Sequence, residues 1–287
     1  MTVHLALGQA HKKLKTLKTP DLDSEVLLSH VLKKPREHIL AHPEQNLTGA
    51  QAREFARLVT RRAAHEPVAY LTRHKEFYGR DFYIDNRVHI PRPATEDLID
   101  AIKAELSGPF DGTLADIGTG SGCIAVTLAL EFPRARIFAT DISDDALAVA
   151  MQNAQHHACI KAAPPLGATR PLVERITFFN GSLGEPLPEP VDIIAANLPY
   201  GWKDGWTDDA EVFFQPEISY LSGRDGLDAI RALMQQLPGI LAKNGCAFLE
   251  FDPRQAGAIK KLAEQSGCRR TIIKDSAGFD RILALTK

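Results

Sequence analysis

Cysteine is scarce and scattered: Cys123, Cys159, Cys246 and Cys268 form no C-x-x-C pair, which excludes a zinc-finger spacing and a dense disulfide framework. Such usage fits a reducing compartment. No uninterrupted apolar run reaches the roughly 18 residues of a membrane-spanning helix. The opening MTVHLALGQAHKKLK lacks an apolar core of signal-peptide length, so a cytoplasmic protein with no membrane partner is expected. A strong charge of either sign is also missing, the formal net charge being −2 over 287 residues. The near-balance hides an asymmetry. Residues 1–85 carry 14 Lys and Arg against 10 Asp and Glu, a net of +4, which leaves −6 for the remainder. A mildly basic first part suits either an acidic partner or ordinary solvated helix faces. Internal repeats and low-complexity tracts are absent.

What is present is apolar residue in quantity, 44% of the chain, enough for the cores of about two domains. From Val3 to Glu66 apolar positions such as Val26, Leu27, Val31 and Leu32 recur at helical spacing, predicting a small bundle. Thr48 and Gln51 form a capping box at the start of one helix, and Pro67 is expected to close it. Over Lys75–Ile84 the period shortens to that of a hairpin, with Gly79-Arg80 as its turn, of type II′. In HIPRPATEDLIDAI two prolines forbid helix, and Thr95 is the expected N-cap of a helix beginning at Glu96. Short apolar strands (TLADI, RIFAT, ITFF, VDIIAA, CAFLEF) then alternate with helices read from Ser121, Ser143 and Asp225, the pattern of a parallel sheet covered on both faces. RTIIK and RILALT are separated by DSAGFD alone, too short for a parallel crossover, so they are expected as an antiparallel hairpin. The stretch from Ala162 to Pro171 reads as loop. These boundaries divide the chain into 1–73, helical; 74–92, a hairpin linker; and 93–287, the α/β part.

The strongest chemical signal is Asp116-Ile-Gly-Thr-Gly-Ser-Gly122, after a strand and before a helix. Its glycines let backbone turn sharply and approach a ligand. A dinucleotide fingerprint needs a third glycine where Cys123 stands, and no Walker lysine is present after it. A loop for the amino-acid end of S-adenosylmethionine fits better, with Asp116 attracting its ammonium. Asp141 closes the next strand, 21 positions after Gly120, where a carboxylate can accept from both ribose hydroxyls. An aspartate there equally serves as a helix cap, but Ser143 suits that role. Asn197-Leu198-Pro199-Tyr200 comes directly after the buried strand VDIIAA at the carboxyl edge of the sheet. Pro199 biases Leu198 to an extended conformation, which turns the Leu198 carbonyl and the Asn197 side chain to one side. Two acceptors so placed match the two N–H groups of an amide or an exocyclic amine, and Tyr200 suits the flat face of the same group. His38 and His42 are spaced to share a metal but lack a third ligand nearby, and surface histidines are the simpler reading. Trp202 and Trp206 fit either base stacking or packing of their loop.

With EPVAYLTRHKEFYG, IPRPATE (90–96), GRDGLDAIR (223–231) and KDSAGFDR (274–281), nearly the whole chain resembles the HemK/PrmC family of methyltransferases, which modify the glutamine of the Gly-Gly-Gln motif in peptide-chain release factors. The resemblance implies a Rossmann-like α/β methyltransferase sheet with an antiparallel C-terminal hairpin, preceded by a small helical domain that recognises the release factor. It implies S-adenosyl-L-methionine as cofactor, S-adenosyl-L-homocysteine as product, and no metal. The cofactor set becomes Asp116, Gly118, Thr119, Gly120, Gly122, Asp141, Ile142, Leu183 and Asn197, and the acceptor set Asn197, Leu198, Pro199 and Tyr200. Leu198 replaces the family's first proline but keeps its carbonyl. N-L-P-Y also occurs in adenine-N6 dimethyltransferases of ribosomal RNA, so nucleic acid stays open as acceptor, as does a ribosomal-protein glutamine. Leu183 stands where some relatives place an aromatic beside the adenine, and GWKDGWTDDAEVFFQPE is expected to border the acceptor channel. A non-catalytic scaffold would be expected to have damaged glycines, and these are intact.

Overall fold

The computed structural model describes residues 1–160 and 170–287; apart from Arg170 and Pro171, the loop read from Ala162 onward lies outside the described residues. The chain divides into two compact units, Met1–His74 with Asp209–Phe214, and Lys75–Asp208 with Gln215–Lys287. Among the described residues no helix is long and apolar enough to cross a membrane.

The first unit contains α1 (Val3–Leu14), α2 (Pro20–Leu32), α3 (Arg36–Ala41), α4 (Gly49–Ala63) and α5 (Val68–Thr72). Their starts reflect local chemistry. The Thr2 side chain accepts from Leu5 N, Pro20 occupies the first turn of α2, and Thr48 and Gln51 exchange both bonds of the capping box. Val3, Leu14, Leu27, Leu28, Ile39, Phe55 and Leu58 form one buried core. Helix α4 stops at Ala63, and His65 is left-handed with φ 67°, so Pro67 does not end α4 but caps the start of α5. Arg62, only 4% exposed, donates to Asp23 Oδ2 at 2.7 Å and to Glu211 Oε1 at 2.6 Å. This ion triad, built on the buried Arg62–Asp23 pair, explains why Asp209–Phe214 belongs to the helical unit, which local pattern gives no means of seeing.

The second unit opens with the hairpin β1 (Lys75–Phe77) and β2 (Arg80–Phe82). Phe77 pairs with Arg80, so the turn is Tyr78-Gly79 rather than Gly79-Arg80, and φ of 53° and 67° makes it type I′ rather than II′. Tyr78 is held left-handed from outside the hairpin: its hydroxyl donates to Asp100 Oδ1 at 2.7 Å, and its backbone N–H donates to Glu96 Oε1. After α6 (Glu96–Glu105) come β3 (Thr113–Ile117), α7 (Cys123–Glu131), β4 (Arg136–Asp141), α8 (Asp144–Ile160), α9 (Leu172–Arg175), β5 (Ile176–Asn180) and β6 (Val191–Ala196). Helix α10 (Asp228–Ile240), β7 (Leu241–Glu250), α11 (Ala256–Gln265), β8 (Arg269–Lys274) and β9 (Asp280–Thr286) complete the unit. Helix α7 starts two residues after Ser121 because Gly122 is left-handed (φ 78°), a conformation that cannot begin a helix.

The sheet order is β5-β4-β3-β6-β7-β9-β8. All pairs from β5 to β7 are parallel, while β9 inserts antiparallel between β7 and β8. The chain runs outward from β3 through β4 to β5, then returns to place β6 on the other side of β3. Ligands of open α/β sheets bind at such a reversal. The register sets Ile117 beside both Thr140 and Ala196, so the residues just beyond, Gly118, Asp141 and Asn197, emerge side by side at one edge.

Arg62→Ala strands Asp23 as a buried, unpaired charge and is expected to destabilise the helical unit by about 3–5 kcal/mol. Urea unfolding monitored by circular dichroism measures the shift, whereas Arg57→Ala, on an exposed pair, should change stability by less than about 1 kcal/mol.

Candidate active site

The glycine loop is pinned by backbone. Gly118 N and Thr119 N both donate to Thr140 O at 2.9 Å, and the three glycines have φ of 75°, 54° and 78°. A Cβ on Gly120 would meet no heavy atom within 4 Å, so that position faces open space. A Cβ on Gly122 would lie 3.0 Å from Ala150 Cα, so this glycine serves the packing against α8. Asp141 accepts from Gly120 N and from Ser143 N at 2.9 Å each, and burial pushes its carboxyl up from the ordinary value. Its carboxylate thus holds the glycine loop and the start of the next helix. Ser143 caps α8 as expected, accepting from Ala146 N.

A cavity of about 340 Å³ opens over this loop, within the range of small-molecule sites. Of the residues read from sequence, Gly118, Gly120, Asp141, Ile142, Leu183, Asn197, Leu198 and Pro199 line it. Asp116, Thr119, Gly122 and Tyr200 are not among its walls. Asp116 is fully buried, its Oδ2 accepting from Thr119 Oγ1 at 2.6 Å and Ala125 N at 3.0 Å, which ties the loop to α7. Burial pushes its carboxyl up to about 7, and Oδ1 has no partner. Leu183 supplies an aliphatic wall, held by the bond from Thr140 Oγ1 to its carbonyl. Of the stretch after Tyr200, Pro216 borders the cavity, as do Ile218 and Ser219 beyond it.

Asn197 Nδ2 donates to Thr95 Oγ1 at 2.9 Å. Thr95 stands at the N-cap position of α6 as expected, but its backbone is helical and it makes no side-chain cap bond, its hydroxyl accepting from Asn197 instead. Burial raises the Glu250 carboxyl, and the Thr95 hydroxyl, Arg281 and the Tyr200 hydroxyl pull it back. The Asn197 amide so placed presents its N–H to a lone pair of the Thr95 hydroxyl. The Asn197 carbonyl oxygen is left for another donor. Tyr200 does not lie along the cavity wall. Its hydroxyl donates to Glu250 Oε1 at 3.1 Å, and its main-chain carbonyl accepts from Gln255 Nε2 at 2.9 Å. A Cβ on Gly226 would run into that carbonyl.

Trp206 stacks on Tyr220 at 5.9 Å and donates to Asp252 Oδ2, while the Arg254 guanidinium lies 4.5 Å from the Trp202 ring centre. Both indoles therefore pack their own loop. His38 and His42 stack at 4.2 Å, and among the described residues no three His, Cys, Asp or Glu side chains gather as a metal site. Sequence reading missed Glu250, Gln255, Gly226 and His89. GRDGLDAIR holds the only local hint, for Gly226.

Residues 6–72 match the model described as PrmC N-terminal domain, and residues 92–164 that of the methyltransferase small domain. The chain is 38% identical to a release factor glutamine methyltransferase of Moorella thermoacetica, over 98% of this chain and 97% of that one. For the same enzyme of Neisseria gonorrhoeae the identity is 36%, covering 92% and 93%. Among solved structures, the hMettl16 catalytic domain in complex with the MAT2A 3'UTR hairpin 1 shares the fold at TM-score 0.57 and 14% identity, covering 90% of each chain. A methyltransferase from Pyrococcus furiosus does so at 0.51 and 16%, covering 74% of this chain and 91% of that one. A helical module ahead of a methyltransferase sheet, matched end to end by such relatives, places this chain in the release factor glutamine methyltransferase family.

Proposed function

We propose that this protein transfers a methyl group from S-adenosyl-L-methionine to the side-chain amide nitrogen of the glutamine in the Gly-Gly-Gln motif of peptide-chain release factors. The observation that carries the reading is the Asn197–Thr95 bond, which spends the amide N–H of Asn197 and keeps its oxygen for an incoming donor. With the Leu198 carbonyl it forms a pair of acceptors suited to a planar NH2 group.

The cavity fits the cofactor. Gly120 leaves room at its wall, Asp141 stands at the end of β4 to meet ribose hydroxyls, and Leu183 and Ile142 offer aliphatic contact. When bound, S-adenosyl-L-methionine supplies a methyl group activated by a sulfonium. This chain then supplies orientation. An amide nitrogen is a poor nucleophile because its lone pair is delocalised, so holding it in line matters more than activating it. Asn197 is stiffened by Thr95, and Tyr200, anchored through Glu250 and Gln255, fixes the chain beyond Pro199. Such preorganised dipoles need no reorganisation during transfer. Neither a nucleophilic side chain nor a metal enters this scheme.

Recognition of the release factor is assigned to residues 1–73, on the match to the PrmC N-terminal domain and the +4 balance of residues 1–85. Residues 93–287 carry the transfer, 74–92 connect them, and the reaction belongs in the cytoplasm.

Labelled cofactor offered separately with a release factor, its Gln→Ala variant and ribosomal RNA should mark only the intact release factor; label on RNA alone would transfer the reading to an adenine acceptor. Asn197→Ala is expected to lower turnover by roughly 10²–10³-fold while calorimetry shows cofactor affinity kept. Thr95→Val, which removes the hydroxyl at constant shape, should cost about 1–3 kcal/mol of transition-state stabilisation, and Thr95→Ser should restore it.

A further inference from the structure

The cavity carries one group that this scheme leaves unused. Among the described residues, only three side chains on its walls titrate: Arg87, His89 and Asp141. Arg87 is engaged by Asp85 through Nε at 3.0 Å and Nη2 at 2.8 Å. Both oxygens of Asp141 accept backbone N–H groups. His89 differs, because its Nδ1 is buried without a hydrogen-bond partner. The neighbours Val88 and Ile90 are buried hydrophobics, and an aliphatic side chain at 89 would fill the wall without stranding a polar atom. A neutral imidazole keeps one lone pair in either tautomer. The segment is held in place: Ile90 N donates to the buried Gln215 Oε1 at 3.0 Å, and the same stretch ends in Thr95, the partner of Asn197.

Resting on the amide-acceptor reading above, we propose that His89 takes the proton that the acceptor nitrogen sheds during methyl transfer. The nitrogen lone pair forms the new N–C bond, and the C–S bond breaks with its electron pair remaining on sulfur. The N–H pair returns to nitrogen and restores amide conjugation, while the proton passes to the imidazole Nε2, Nδ1 being closed off from the cavity. The resulting imidazolium gives it to water when the product leaves. Burial, with Arg92 adding to it, pushes the His89 imidazole down to about 3, so the ring is neutral beforehand and does not repel the sulfonium. A base that weak suffices, because an amide protonated on nitrogen is a strong acid. The other buried carboxyls are placed elsewhere: Asp116 and Glu250 are not on the cavity wall.

The test uses the full-length protein in single turnover with labelled cofactor and release factor. His89→Leu and His89→Gln should both slow methyl transfer about a hundredfold, with cofactor affinity by calorimetry unchanged. Nitrogen-15 NMR of the substrate-free protein should show a neutral His89 ring near neutral pH. A rate loss below about tenfold in His89→Leu, recovery of the rate in His89→Gln, loss of cofactor affinity, or a charged ring would each overturn the proposal. Failure of the wild type to label the release factor would overturn the function and the proposal together; labelling that survives His89→Leu would overturn the proposal alone.

Discussion

The hydrogen bond from Asn197 to Thr95 determines what the cavity can hold. A free asparagine offers a donor and an acceptor on a rotatable amide, and either end could meet a ligand. The Thr95 hydroxyl removes that ambiguity by accepting the Asn197 N–H. Thr95, just before α6, and Asn197, just after β6, thus give one carbonyl oxygen a fixed direction. Glu250 is buried and accepts the Tyr200 hydroxyl on Oε1, so the segment after Asn197 is anchored at a cost in desolvation.

Sheet topology explains why these groups meet the glycine loop at all. Because β6 returns beside β3, residues about 80 positions apart in sequence leave adjacent strands at the same level. Positive φ at Gly118 and Gly120 then folds the backbone back, with open space where a side chain on Gly120 would stand, and Asp141 holds Gly120 from the neighbouring strand. The bonds that shape this cavity wall also hold the loop in place.

Much of this was legible in the sequence wherever the cause is local. The alternation of strand and helix, the Thr48–Gln51 capping box and the short DSAGFD connection each rest on neighbouring residues, and each has its counterpart in the structure. Gly118, Gly120 and Asp141 were readable for the same reason. Local rules failed where a distant partner decides. Thr95 looked like a helix cap, yet its partner lies 102 positions away. Gly79 suggested a turn one residue later than the real one, because Asp100 and Glu96 hold Tyr78 left-handed. The Tyr200 hydroxyl is taken by Glu250, 50 positions on, a partner that no local pattern announces. Glu211 joined the helical unit through Arg62, 149 positions earlier.

A crystal structure with S-adenosyl-L-homocysteine and a glutamine-bearing release-factor peptide measures the central geometry directly. The two amide N–H groups should point to Asn197 Oδ1 and the Leu198 carbonyl oxygen, with the nitrogen facing the sulfur and Nδ2 still on Thr95. An amide seated elsewhere, or Asn197 rotated so that its oxygen meets Thr95, would contradict the assignment.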